Sequence, residues 1–454
     1  MSVSITFLGG ANTVTGSKYL VCHGSQRVLV DCGLFQGYKQ LRLRNWNPLS
    51  VAPNRIEAVV LTHAHLDHSG YLPLLVREGF QGPIFATPGT RDLCGLLLPD
   101  SGHIQEEDAA YVNRHGLSKR EQALPLYTLR DAKACLPRIK AYGFGRTFEP
   151  LPGWHATFTQ AGHILGAASV LLEVGGRRIL FSGDLGRTDD LMMNPPESAP
   201  AADTVLIEST YGDREHPSED LLAELAPALQ RLIKRGGVAV VPVFAVGRAQ
   251  ALLHAITELK NVGELPKSVP VFLDSPMAIR TTHLFSEHTA TLRLTSRQIK
   301  DLTHCATMIN TPEESKALAK RHGPMVILSA SGMATGGRVL HHLSLYAGDH
   351  RNMIILTGYQ APGTRGATLA SGAGSVRIHG HDVTVNAEII QLQSASAHAD
   401  ATQLMNWLRT MPKPAPQVYI VHGDMGASDQ LRSRIKRELG WSAQVPEHGA
   451  TLPG

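Results

Sequence analysis

Short apolar runs rich in Val, Ile and Leu alternate along the chain with stretches whose apolar residues recur at helical spacing, a pattern that predicts α/β layers. The chain starts as an alternating strand, with Val3, Ile5 and Phe7 separated by Ser4 and Thr6. Further strands are predicted at residues 28–30, 58–61, 179–181 and 205–207, then at 238–244, 271–273, 325–328, 353–356 and 418–421. Several of these run into an acid or a histidine: Asp31, His63, Asp184, Glu208 and His422. In α/β sheets the ligand crevice lies beyond the carboxyl ends of the strands, so these residues are placed for chemistry. Between the strands, Leu221, Leu222, Leu225, Leu229 and Leu232 predict a helix that Pro227 should kink or shorten, and residues 249–260 a more regular amphipathic one. No internal repeat or low-complexity segment interrupts the pattern. Residues 192–202, with Pro195, Pro196 and Pro200, read as a loop inside a domain.

Composition narrows the class. A length of 454 residues suggests about three domains by the usual ~150 residues each, and 43% hydrophobic with 18% charged residues excludes a disordered chain. No run approaches the ~18 apolar residues of a membrane span; the best candidate, residues 238–246, contains Pro242. The first residues carry no Lys or Arg ahead of an apolar core, so no signal peptide is expected and the cytoplasm is the expected location. Five cysteines without a CxxC spacing argue against a disulfide framework or zinc ribbon. A net charge of +4 is too mild to identify a nucleic-acid partner. The 22 histidines matter more, because imidazole is the commonest metal ligand.

The strongest local signal is Thr62-His63-Ala64-His65-Leu66-Asp67-His68, directly after an apolar run. A turn there points His63 and His65 one way, and Asp67 and His68, at the start of the next helix, another. Such a set suits two metals with a preference like that of zinc. Further ligands are expected from His163, in Gly162-His163-Ile164-Leu165-Gly166, and from Asp184, a carboxylate placed to bridge two ions.

With these residues in order after Asp31, the sequence resembles the metallo-β-lactamase superfamily, in which the HxHxDH turn is characteristic. The resemblance implies that Asp31 orients the turn by hydrogen bonds. An ordinary hydrolase of the superfamily would place its last histidine one strand after Asp184, but that strand ends in Glu208-Ser209-Thr210-Tyr211-Gly212. His216 sits in a charged loop and His254 on a helix, whereas His422 follows a strand, which implies an inserted domain. The chain therefore resembles the β-CASP branch, related to the endonuclease subunit of the pre-mRNA 3′-end cleavage factor and to its bacterial and archaeal homologues. Glu208-Ser209-Thr210-Tyr211-Gly212 is similar to its motif A, Ser396-Ala397-His398-Ala399-Asp400 to motif B, and Val421-His422-Gly423-Asp424 to motif C. Gly358-Tyr359-Gln360 and the segment from Pro242 to Arg248 are also similar to the family, whereas Ala395 stands where many members carry Phe.

The resemblance implies an α/β fold: a metallo-β-lactamase αββα sandwich with an inserted β-CASP α/β domain. Its first part is expected over residues 1–211, the insert over 212–370 and the return over 371–454. It implies two zinc ions, held by His63, His65 and His163 and by Asp67, His68 and His422, with Asp184 bridging; manganese as a substitute stays open. The shared hydroxide between the ions is the implied nucleophile, Asp67 helps orient it, and His398 paired with Glu208 is the implied proton donor. Ser329 and Ser331, in a small-residue loop, together with Arg248, Arg338 and Arg365, are candidate phosphate contacts. The implied activity is hydrolysis of phosphodiester bonds in single-stranded RNA, in RNA processing or decay, with the insert acting as a lid; a homodimer is left open. A DNA-directed nuclease and a small-molecule (thio)ester hydrolase are the alternatives, and His422 in motif C favours RNA.

Overall fold

The computed structural model describes residues 2–116, 122–217, 219–358, 360–361, 363–412 and 417–454. Tyr359 of the Gly358-Tyr359-Gln360 motif lies outside them. Two compact units emerge: Met1–Glu215 with His398–Gly454, and His216–Ala397.

The first unit is built on two seven-stranded sheets. In Val3–Gly9 the alternation of the sequence is realised: Val3, Ile5 and Phe7 are buried, and Ser4 and Thr6 less so. This strand pairs antiparallel with Lys18–His23 and with the C-terminal strand Thr451–Pro453. Gln26–Val30 pairs antiparallel with Lys18–His23, and Ala58–Val60, Ile84–Ala86 and Ile139–Ala141 then continue the sheet in parallel from it. In the second sheet, Arg177–Phe181, Thr204–Glu208 and Gln417–Val421 lie side by side in parallel, with Glu208 opposite Val421. A single core joins both sheets, including Phe7, Val28, Val60, Trp154, Phe158, Val170, Phe181 and Tyr419. Nonpolar burial of this kind stabilises by roughly 25 cal/mol per Å² of apolar surface. Helices flank the layers: Met425–Leu439 packs on Gln417–Val421, and Pro88–Arg114, a 27-residue helix containing Pro99, packs on Ile139–Ala141.

The second unit is a six-stranded parallel sheet in the order Thr307–Met308, Val271–Asp274, Met325–Ser329, Val238–Pro242, Met353–Thr357, Glu388–Leu392. The helix Leu221–Arg235 is continuous through Pro227 and ends at Gly236, φ 64°. The expected shortening does not occur because Leu221, Leu225, Leu229 and Leu232 are buried on both sides of the proline. At ~1.5–3 kcal/mol for each buried leucine, that stripe outweighs the ~3 kcal/mol a helical proline costs.

Both expected boundaries of the insert move. Ala401 N–H donates to the Arg214 carbonyl at 3.0 Å and Thr402 Oγ1 donates to Glu215 Oε1 at 2.7 Å, which holds residues 212–215 in the first unit. The return falls at His398, not at residue 371, because Ser375–Ile378 and His381–Thr384 form a hairpin and Glu388–Leu392 pairs in parallel with Met353–Thr357. Among the described residues, no helix is long and apolar enough to cross a membrane.

Asp274, at the end of its strand and fully buried, organises the second unit. It accepts bonds from His342 Nε2 at 2.7 Å, Arg338 Nη1 at 2.7 Å and Ser315 Oγ at 2.5 Å. Burial alone would raise its pKa, but these donors hold the carboxyl below its usual range. A depressed folded-state pKa contributes stability that is present above about pH 4 and lost as the pH falls through the folded value. Asp274→Ala should therefore lower stability by ~3–5 kcal/mol, since it strands the buried His342 donor and the half-buried Arg338. Urea unfolding of the full chain at pH 7 measures this, and the difference from the unsubstituted protein should shrink on acidification below pH 4.

Candidate active site

The strand Ala58–Val60 leads into the turn that begins at Thr62 and closes in the short helix Leu66–Ser69. Asp31, at the end of the adjacent parallel strand, adopts φ 58° and is fully buried. Its Oδ1 accepts from Thr62 N–H and its Oδ2 from Thr62 Oγ1, each at 2.8 Å, while His68 Nδ1 lies 2.7 Å from Oδ2. Thr62 Oγ1 is in turn 3.1 Å from His63 Nδ1. Both imidazoles are thereby anchored through Nδ1, which turns each Nε2 inward. The neighbouring loop braces the turn from its other side: Cys32 N–H donates to the His68 carbonyl at 2.7 Å and Ser17 N–H to the Asp67 carbonyl at 2.9 Å. A Cβ on Gly33 would fall 1.6 Å from the Asp67 carbonyl oxygen, so this approach requires glycine.

Two sets of donors converge beyond the turn. In the first, His65 Nδ1 lies 3.2 Å from both His63 Nε2 and His163 Nε2, and Asp184 Oδ2 lies 3.4 Å and 3.6 Å from the latter two nitrogens. In the second, Asp184 Oδ1 lies 3.3 Å from His68 Nε2 and 3.5 Å from His422 Nδ1, and His422 Nε2 lies 3.2 Å from Asp67 Oδ2. The two oxygens of Asp184 thus face different sets. All seven ligand positions expected from the sequence are brought together: His63, His65, His163 and Asp184 in one group, Asp67, His68 and His422 in the next.

These residues fit divalent metal. A tetrahedral ion with ~2.0–2.1 Å bonds to nitrogen separates its ligands by about 3.3–3.4 Å, close to the spacings found. Burial holds the His63 imidazole well below its usual pKa, with repulsion from His68 adding to the shift, and brings His65 down to about 4. Both are therefore neutral, the form that ligates metal. Burial opposes charge on Asp184, but the surrounding His422 and His68 keep it ionised, its pKa well below the carboxylate range.

Glu208 and His398 join the site through the second sheet. Thr204–Glu208 lies between the strands that deliver Asp184 and His422. The fully buried Glu208 carboxylate accepts Leu185 N–H at 2.7 Å and Thr210 N–H at 3.2 Å, and His398 Nδ1 sits 3.1 Å from its Oε1. His398 pairs as a bridge with Gly186, and Ala399 N–H donates to the Leu185 carbonyl at 2.8 Å. The ring centroids of His398 and His163 are 4.4 Å apart. Thr62 and Thr210 are functional positions that the sequence reading did not assign; Thr210 Oγ1 is 3.1 Å from His422 Nδ1. Their shared signal is a hydroxyl placed at a strand end beside a ligand.

The expected phosphate contacts all lie in the second unit, and most are engaged internally. Ser329 is fully buried with its hydroxyl on the Asp274 carbonyl at 3.0 Å. Arg338 binds Asp274 and the Ile309 and Asn310 carbonyls, and Arg365 the Arg377, Ala334 and Thr335 carbonyls. Backbone carbonyls and the buried Asp274 carboxylate thus take up donors of all three side chains. Ser331 Oγ accepts Thr335 N–H at 3.0 Å, and Arg248 begins the helix Arg248–Asn261.

Two seven-stranded sheets with this donor set define a metallo-hydrolase of known type. Residues 12–228 match the metallo-beta-lactamase superfamily, 249–369 the Beta-Casp domain and 382–446 the Zn-dependent metallo-hydrolase RNA specificity domain. The chain belongs to the β-CASP branch of the metallo-β-lactamase superfamily. It is 37% identical to Ribonuclease TTHA0252 of Thermus thermophilus over 92% of both chains. It is 32% identical to Transcription termination factor FttA of Methanosarcina mazei, over 96% of this chain and 69% of that one. A crystal structure of a protein of unknown function from Enterococcus faecalis V583 covers 100% of both chains with TM-score 0.54 and 14% identity, a likeness of fold.

Asp31→Ala removes the acceptor that orients Thr62 and His68, and should weaken metal binding by about 10- to 100-fold. Competition for zinc against a chromophoric chelator reads this directly.

Proposed function

We propose that the chain is a zinc-dependent ribonuclease that hydrolyses phosphodiester bonds of single-stranded RNA, acting in RNA processing or decay. One observation carries the reading: two metal-ligand sets share Asp184, and the Glu208–His398 pair stands directly beside them. Two zinc ions, one in each set, would supply water activation near neutral pH and neutralise charge at a phosphoryl group. His63, His65 and His163 with Asp184 Oδ2 form one cradle, and Asp67, His68 and His422 with Asp184 Oδ1 the other. Asp67, the more open carboxylate of the set, is also placed to orient the attacking water.

His398 acts on the leaving oxygen. Its Nδ1 faces Glu208, so the proton to be delivered is held at Nε2. Glu208 is itself fixed by two backbone N–H groups, which sets the orientation of the imidazole through Nδ1. Ribonuclease TTHA0252, matched nearly end to end, supports RNA as the polymer. Asp184, His398 and Glu208 have no need of a particular base, in keeping with backbone chemistry.

End-labelled single-stranded RNA, with single-stranded DNA of the same sequence, tests the reading on zinc-loaded protein. His398→Ala should slow RNA cleavage by ~10² to 10⁴-fold with zinc content unchanged, as loss of a general acid does. Asp184→Ala should abolish cleavage and reduce bound zinc. The fragment ladder separates internal from terminal attack. Failure to cut either polymer with both metals bound would overturn the ribonuclease reading, and preferential cutting of DNA would redirect it.

A further inference from the structure

The loop that braces the metal-ligand turn continues into a surface that the proposed chemistry does not use. From Gly33 to Ile56 the chain has no Asp or Glu, but carries Lys39, Arg42, Arg44 and Arg55. Tyr38, Leu43 and Trp46 are 54%, 52% and 53% exposed, placing two aromatic rings in water on either side of the helix Lys39–Arg44. Neither ring packs on another aromatic ring among the described residues. Lys39, Arg42 and Arg55 are exposed and, among those residues, form no ion pair. Elsewhere on the surface the arginines are commonly paired with carboxylates, as Arg434 is with Glu215 and Glu438.

The segment is held firmly at its base. Asn45, buried, clamps Phe35 through both backbone groups: its Oδ1 accepts Phe35 N–H at 2.9 Å and its Nδ2 donates to the Phe35 carbonyl at 2.8 Å. The Arg44 guanidinium lies 5.5 Å from the centre of the Phe35 ring. Leu34 N–H donates to the Leu66 carbonyl at 2.8 Å, within the metal-ligand turn. Tyr38 follows Gly33 by five residues, so its backbone lies at most about 18 Å from the point where Gly33 meets Asp67. That is the length of about five stacked nucleotides at ~3.4 Å each.

Exposed rings interleaved with unpaired cations are what a single strand of nucleic acid engages: bases stack on aromatic faces while phosphates meet the positive charges. We infer that residues 38–46 form a stacking platform for the single-stranded RNA substrate, binding the strand on one side of the scissile bond. The inference rests on the ribonuclease reading for the identity of the strand. A membrane surface also attracts aromatic and basic residues, but the helix Lys39–Arg44 has only 6 residues, whereas interfacial helices bury a long apolar face.

The test compares the unsubstituted chain with Tyr38→Ala/Trp46→Ala and with Lys39→Ala/Arg42→Ala. Each ring should contribute at least about fivefold in affinity, so the aromatic pair should raise KM for a single-stranded RNA of 20 nucleotides by at least about 25-fold with kcat unchanged. The charge pair should reduce the dependence of log affinity on log salt by ~0.7 for each phosphate that Lys39 or Arg42 neutralises. Hydrolysis of bis(p-nitrophenyl) phosphate, too small to reach the platform, should be the same in all three. Anisotropy of a labelled phosphorothioate oligouridylate reads binding without cleavage, so a chain that cuts no RNA would sink the ribonuclease reading while leaving the platform measurable. Unchanged oligonucleotide affinity and salt slope in both variants would overturn the platform, as would a loss confined to binding of phosphatidylserine vesicles.

Discussion

The parallel pairing of Thr204–Glu208 with Gln417–Val421 is the interaction on which the site depends. It places the end of a strand from the first half of the chain beside one from the last tenth, with Val421 opposite Glu208 and His422 one residue beyond. Without that pairing, Asp184 Oδ1 would keep His68 as a partner but lose His422, and His398 would lose the framework that presents Glu208. Parallel strands cannot be joined by a tight turn, so some long connection between these two strands is obligatory. In this chain that connection is a whole second unit.

Asp184 is the electrostatic counterpart of the pairing. It sits fully enclosed among imidazoles, and it stays charged because His422 and His68 adjoin it. Removing it would leave two sets of buried donors facing one another with nothing negative between them. The outer support follows the same logic. Asp31 holds Thr62 and His68, Thr62 holds His63, and Thr210 holds His422, so these three imidazoles are each fixed through Nδ1.

Much of this was legible in the sequence because it is local. The turn from His63 to His68 packs four donors into six residues, and Asp31, Asp184, Glu208 and His422 announce themselves by ending apolar runs. The resemblance to a family supplied what spacing could not: the pairing of His398 with Glu208 and the allotment of ligands to two sets. What stayed hidden is non-local or internal. A small-residue loop with nearby arginines reads as an anion site, yet the donors of Arg338 and Arg365 are taken up by carbonyls that only the folded sheet brings within reach. The return point is hidden because residues 375–392 read like any other β segment, and only the hairpin of Ser375–Ile378 with His381–Thr384 and the pairing of Glu388–Leu392 with Met353–Thr357 assign them. The helix Pro88–Arg114 is not legible because Gly95, Pro99 and Gly102 break its apolar stripe, and the continuity of Leu221–Arg235 through Pro227 depends on burial that the sequence does not display.

The bonds from Ala401 to Arg214 and from Thr402 to Glu215 have a consequence for how such a chain is assembled. They tie together the points at which the polypeptide leaves the first unit and comes back. A segment whose two ends are already neighbours can be lengthened, shortened or exchanged with little cost in loop-closure entropy, which grows only slowly with length. The hydrolytic body can thus keep its own geometry while evolution varies what hangs from a single seam. The inserted unit is in this sense a cassette, and the seam between Glu215 and Thr402 is the joint at which it can change while the strand ends that carry the ligands keep their places.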